Sequence, residues 1–209
     1  MSKTLRLGIM GGTFDPVHYG HLVAAEEALV QFNLDRVVFM PTGRPVRKTH
    51  RSVSSAEDRY LMTVIATASN PDFEVSRLEI DRPGHTYTVD TLRQLRDSCG
   101  PSTQLFFITG ADAVREILTW KGAEALAGLT TFIAATRPGY EVEVASLAEA
   151  MPAGVPAPRV EPMEVPALAI SSSDIRARVS ERRPVRYLLP EAVAAYIVKN
   201  GLYAMDGER

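Results

Sequence analysis

The apolar run Leu5-Arg6-Leu7-Gly8-Ile9-Met10 ends in the pair Gly11-Gly12, followed by Thr13-Phe14-Asp15-Pro16-Val17-His18-Tyr19-Gly20-His21. The run reads as a buried first strand, and the residues after His21 read as a helix. A chain that opens as strand, glycine-rich turn and helix points to an α/β arrangement, with the turn as a place for phosphate groups. Gly11 and Gly12 are expected to reach positive φ and to let a ligand approach the main chain, and Pro16 to stiffen the loop. His18 and His21 stand three apart, so at a helix start both imidazoles lie on one side of its first turn. Gly20 between them adds no bulk. Two imidazoles beside helix-start N–H groups suit a polyanion. Each feature alone also reads as a tight turn or an ordinary histidine. The full spacing at the end of a strand favours a nucleotide.

Apolar β-rich runs alternate with helical patterns along the rest of the chain, which predicts a doubly wound, Rossmann-like α/β fold, its mainly parallel sheet covered by helices on both faces. Strands are expected at Arg36–Met40, Phe73–Ile80 (half-exposed or at an edge), Gln104–Thr109, Thr131–Thr136 and Arg159–Val165. Ser55 and Asp58 form a capping-box variant before a helix from about Ala56 to Ser69. Further helices are expected from Thr88 to about Asp97, from Gly110 to Trp120, over Ala123–Ala127 and after Ser171, and Pro190 is placed at the first position of the last one. One short helix is also expected within residues 141–169. With 209 residues and no linker or repeat, the chain reads as one domain, residues 1–209, whose last part begins near 170.

Composition narrows the function. Hydrophobic residues make up 45% and charged residues 23%, as in soluble globular chains, and a net charge of −2 gives no reason to expect nucleic acid or a membrane as partner. Basic residues are locally dense at Arg44, Arg47, Lys48, His50 and Arg51. The single Cys99 excludes an internal disulfide and a cysteine-rich zinc site, and no apolar run can span a bilayer. A reducing cytoplasm is the expected location; whether the chain forms a homo-oligomer stays open.

Ligands of an open parallel sheet bind beyond the carboxyl ends of its strands. The polar oddities of this sequence fall there: residues 11–21, the loop 42–48, Gly110-Ala111-Asp112, Arg137 and Ser171–Arg176. The serines at 171–173 can cap a helix, and the same hydroxyls and N–H groups can cradle a phosphate. Arg176 in the first helical turn is unfavourable for the helix dipole, a mismatch that a bound anion repairs.

These segments resemble a known family. Residues 11–21 resemble the GGTFDPxHxGH signature of the nucleotidyltransferase superfamily, and Ile170–Arg176 resembles its ISSTxIR-type motif. Thr86–Leu92 is similar to SYTxDT, Gly110–Asp112 to GAD and Arg137–Tyr140 to RPGY, which identifies the bacterial nicotinate-mononucleotide adenylyltransferases, with Ser54–Pro71 closest to the actinobacterial branch. The resemblance covers nearly the whole chain, leaving about 141–165 unmatched. It implies transfer of AMP from ATP to nicotinate mononucleotide, with His18, His21 and Arg176 catalytic. It implies ATP contacts from Gly11, Gly12, Thr13, Phe14, Lys48, Arg47, Ser171, Ser172 and Asp112, and mononucleotide contacts from Thr88, Trp120, Arg137 and Asp112. Mg²⁺ is implied only as a companion of ATP, with no protein metal site. Two departures stand out: Pro41-Thr42-Gly43-Arg44-Pro45-Val46-Arg47-Lys48 replaces PNxxPPHK, and Lys121 follows the tryptophan where the family often has tyrosine. A phosphopantetheine adenylyltransferase-like enzyme and a non-catalytic nucleotide sensor remain as alternatives.

Overall fold

The computed structural model describes residues 4–45, 53–114, 116–136, 155–166 and 169–204. Their strands, β1 (Arg6–Gly12), β2 (Arg36–Pro41), β3 (Phe73–Val75), β4 (Gln104–Gly110), β5 (Thr131–Thr136) and β6 (Arg159–Glu164), form one sheet in the order β3-β2-β1-β4-β5-β6. Every pairing is parallel, with Gly12 opposite Pro41 and Met10 opposite Ile108. The chain winds outward from β1 to β3 and then from β4 to β6, so it reverses between β1 and β4. Ligands of such sheets bind at this crevice.

Alternation along the strands sorts the core into two layers. Val37 and Phe39 of β2, Phe106 and Ile108 of β4 and Ile133 of β5 face α1 (Tyr19–Gln31), α2 (Ala56–Thr67), α6 (Ser172–Ser180) and α7 (Glu191–Lys199). Val38, Met40, Leu105, Phe107 and Phe132 face α3 (Thr88–Cys99), α4 (Ala111–Val114) and α5 (Ala123–Leu126). The Rossmann-like architecture is therefore the one the alternation called for. Among the described residues no helix is long and apolar enough to cross a membrane.

Local differences have local causes. The strand expected over Phe73–Ile80 stops at Val75, because the Ser76 hydroxyl accepts from the N–H of Leu78 at 3.2 Å and turns the chain. The helix expected from Gly110 to Trp120 is α4 followed by a 3₁₀ turn, Ile117–Thr119, whose Thr119 hydroxyl donates to the Glu116 carbonyl at 2.7 Å. Pro190 is the N-cap of α7, with extended ψ of 140°, instead of its first helical residue. The short helix expected after 141 falls largely outside the described residues.

Candidate active site

β1 delivers Gly11 and Gly12 to the crevice still in strand conformation, so neither glycine is there for positive φ. Their hydrogens make room for rings instead. A Cβ on Gly11 would stand 2.6 Å from the Phe107 ring, and one on Gly12 would stand 2.9 Å from that of Phe14. Positive φ falls on Phe14, at 50°, a conformation that costs a bulky residue about 1–2 kcal/mol. Core packing holds it there: Phe14 is buried, tilted against Phe39 and edge-on to His21 with centroids 5.0 Å apart. Its side chain therefore supports the site from within the core, and only its backbone is left to meet a nucleotide.

His18 is the N-cap of α1 and His21 its third helical residue. The spacing of three stacks their rings at 3.8 Å with planes 25° apart. The N–H of His18 donates to His21 Nδ1 at 3.2 Å, which assigns that nitrogen as an acceptor and leaves the proton of a neutral His21 on Nε2. Gly20 leaves room for this ring, since a Cβ would stand 3.0 Å from His18 Nδ1 and push it aside. Burial drives the His18 pKa down to about 4, so this ring is neutral at pH 7. Its Nδ1 is buried without a hydrogen-bond partner. His18 thus contributes hydrogen bonding and shape, not positive charge.

The distant motif arrives on the same loop. Ser171 caps α6, accepting from the N–H of Asp174 at 3.1 Å, and Ser172 donates to the Pro16 carbonyl at 2.8 Å. The Ser171 hydroxyl accepts in its cap and keeps its O–H to donate, the Ser172 O–H is committed to Pro16, and the first N–H groups of α6 are the other anion-binding groups this segment offers. Arg176 donates to the Asp15 carbonyl at 2.5 Å and lies 3.9 Å from the Asp15 carboxylate, although the two are 161 positions apart. Tyr203 donates to that carboxylate at 2.8 Å. Asp15, buried and given no role from the sequence, is the joint of the site.

A cleft of about 500 Å³ opens beside Gly11, Gly12 and Thr13, with Thr88 and Trp120 among its walls. Trp120 is also core, edge-on to Phe107 and Phe132 with centroids 5.9 and 6.1 Å away, so packing and cleft share one indole. Asp112 sits in α4, directly after β4, where the backbone enters the crevice. Arg47, Lys48 and Arg137 lie outside the described residues. Among the described residues no three His, Cys, Asp or Glu side chains gather as a metal site.

Besides Asp15, Arg59 and Glu79 escaped the sequence reading. Arg59 is 1% exposed and donates to the carbonyls of Ser54, Thr13 and Gly43 at 3.1, 2.8 and 3.0 Å, binding the β1 loop to the β2 loop. Its signal was available: Arg59 falls in register with Met62, Thr63, Ala66 and Thr67, the buried stripe of α2. Glu79, buried beside the cleft, accepts from Thr91 at 2.7 Å, and Arg82 donates to that same hydroxyl at 2.9 Å. No periodicity marked it, because its burial depends on the turn after Ser76.

Burial pushes the Glu79 carboxyl up to about 7, opposed by the Thr91 hydrogen bond and by the charge of Arg82. The unfolded chain releases this proton near pH 4.5 and the folded one near 7, so the native state loses about 3 kcal/mol across that window from this group alone. A glutamine side chain keeps an acceptor for Thr91 without a charge. Thermal unfolding of Glu79→Gln should match the wild type at about pH 5 and exceed it at about pH 8, on either side of the folded-state titration. An equal difference at both pH values would contradict this.

Residues 9–178 match the cytidylyltransferase-like family. A "probable nicotinate-nucleotide adenylyltransferase" of Streptomyces coelicolor is 59% identical over 194 residues, covering 93% of this chain and 98% of that protein. One of the same name from Acidothermus cellulolyticus is 53% identical over 212 residues, 99% of either chain. A Plasmodium falciparum nicotinic acid mononucleotide adenylyltransferase complexed with NaAD shares the fold, with a TM-score of 0.78 over 95% of this chain and 97% of that one at 20% identity. Such similarity along almost the full length, on a fold that joins both signature segments at Asp15, means that this chain belongs to the nicotinate-nucleotide adenylyltransferases of the cytidylyltransferase-like family.

Proposed function

We propose that the chain performs its family's reaction in NAD biosynthesis: AMP passes from ATP to nicotinate mononucleotide, giving nicotinate adenine dinucleotide and pyrophosphate. A phosphate oxygen of the mononucleotide attacks the α-phosphorus of ATP in line, and the bond to the β-phosphate bridging oxygen breaks. A phosphomonoester has its second pKa near about 6, so the nucleophile is ionised at neutral pH and needs no general base. Catalysis then consists of alignment and charge stabilisation.

In this reading His21 Nε2 and the His18 ring hydrogen-bond the α- and β-phosphates, while the N-terminus of α6 and Arg176 stabilise the departing pyrophosphate. Lys48 and Arg47 supply further charge to the triphosphate, and Mg²⁺ enters with ATP as part of the substrate. Gly11, Gly12 and Thr13 offer backbone to the nucleotide. Thr88 and Trp120 receive the mononucleotide in the cleft, and Asp112 and Arg137 are its further contacts. One cysteine and modest net charge suit a cytoplasmic enzyme.

The observation that carries this is the pair of bonds from Arg176 and Ser172 to Asp15 and Pro16, which brings both phosphate-binding helix starts to one loop. Pyrophosphate release measured with ATP and nicotinate mononucleotide, against ATP alone, tests it. Release that requires both substrates is expected; ATP binding without release would mark a sensor.

A further inference from the structure

Arg176 has to offer its charge to an anion, yet it stands beside a buried carboxylate that would neutralise it on contact. Its two terminal nitrogens donate to neutral acceptors, the Asp15 carbonyl at 2.5 Å and the Ser173 hydroxyl at 3.2 Å. The Asp15 carboxylate stays 3.9 Å away, beyond hydrogen-bond distance, although only 4% of that side chain is exposed. A buried carboxylate this close to a guanidinium closes into a direct pair unless another donor holds it.

Tyr203 is that donor. Its hydroxyl bonds to Asp15 Oδ1 at 2.8 Å, whereas the oxygen that faces Arg176 is Oδ2. The tyrosine lies in the turn 201–203 after α7, which is tied back to that helix by the bond from the Leu202 N–H to the Ile197 carbonyl at 3.0 Å. Its φ is 64°, an unfavourable conformation for a bulky residue, and its ring packs against the core. Burial pushes the phenol pKa up, so Tyr203 is a donor at neutral pH. Arg59 directs its own nitrogens to the carbonyls of Ser54, Thr13 and Gly43 and acts on Asp15 through its field.

We infer that Tyr203 is a positioning residue for phosphate binding: by holding the Asp15 carboxylate off Arg176, it leaves the guanidinium free to take a triphosphate or pyrophosphate. Without the hydroxyl, the carboxylate turns onto Arg176 and competes with the phosphate for it. The inference rests on the adenylyltransferase reading, and a binding measurement that needs no turnover separates the two.

Affinity for inorganic pyrophosphate, and turnover with ATP and nicotinate mononucleotide, are measured for the wild type, Tyr203→Phe, Asp15→Asn and the double variant. Tyr203→Phe keeps the ring in the core and removes one oxygen, so melting curves should show it folded. It should bind pyrophosphate about tenfold more weakly and lose kcat/KM for ATP by a similar factor, the low end for a hydrogen bond to a charged group. Its KM for nicotinate mononucleotide should stay within about twofold of the wild type. Asp15→Asn removes the competing charge, so the double variant should regain most of both losses and bind pyrophosphate as Asp15→Asn alone does. A tyrosine that is merely structural predicts the reverse, a double variant no better than Tyr203→Phe. That result, an unchanged pyrophosphate affinity in Tyr203→Phe, or a Tyr203→Phe chain that does not fold overturns the proposal while the adenylyltransferase reading stands. A wild type that binds pyrophosphate but releases none from the two substrates overturns that reading, and the affinities still decide the role of Tyr203.

Discussion

Replacing His21 with alanine is expected to lower kcat by about 10²–10³, the range found when one preorganised donor to a developing charge is removed. The side chain is half-buried and its Nδ1 is committed to the His18 N–H, so in the proposed role it is Nε2 that carries the ring proton. The fold should survive. The lost bond leaves the N–H of buried His18 without its acceptor, costing about 1–3 kcal/mol. Steady-state turnover and thermal unfolding, measured together, decide the matter: a kcat within about threefold of the wild type, or an activity loss explained by an unfolded variant, removes His21 from catalysis. The stacked, neutral His18 sharpens this expectation. Because burial holds that ring uncharged, it cannot replace the missing donor with extra charge.

The largest stability effect should come from Arg59→Met. Methionine approaches the length of the side chain but leaves the carbonyls of Ser54, Thr13 and Gly43 without their donor. Buried acceptors left unpaired cost roughly 1–3 kcal/mol each, and Asp15 loses the attraction of one buried guanidinium while keeping Arg176 and Tyr203, so a loss of about 3–5 kcal/mol is expected. In a chain of this size that lowers the melting temperature by roughly 10 °C. Turnover of the folded fraction should fall as well, because Thr13 and Gly43 belong to the two loops that frame the cleft. In Arg59→Lys the ammonium reaches only part of this carbonyl set, so its stability should fall between those of the wild type and Arg59→Met. A melting temperature of Arg59→Met within about 2 °C of the wild type would show the three bonds to be dispensable.

The histidine pair illustrates how far spacing alone can go. Residues three apart at a helix start must lie together, and they do; the neutral state of His18 comes from its burial, which the spacing does not specify. The glycine pair shows the opposite case. Its placement at the carboxyl end of β1 was correct, but the pair is still strand and its reason was not positive φ, because the rings of Phe107 and Phe14 that crowd the missing Cβ positions are set by packing. Ser171 read correctly as a cap, yet the bond from Ser172 to Pro16, 156 positions away, was invisible from either segment.

Local order was written in the sequence. Apolar runs placed the strands, serine caps placed the starts of α2 and α6, and two signature segments marked turns that meet at Asp15, since the runs, caps and motifs depend on neighbours within a few residues. The tertiary structure alone decided that Asp15 joins Arg176 and Tyr203, that Arg59 ties the loops of β1 and β2, and that Glu79 is buried beside the cleft. Those roles arise from burial and from partners up to 188 positions apart, and a charge acquires its cost and its partner only once water has been excluded around it.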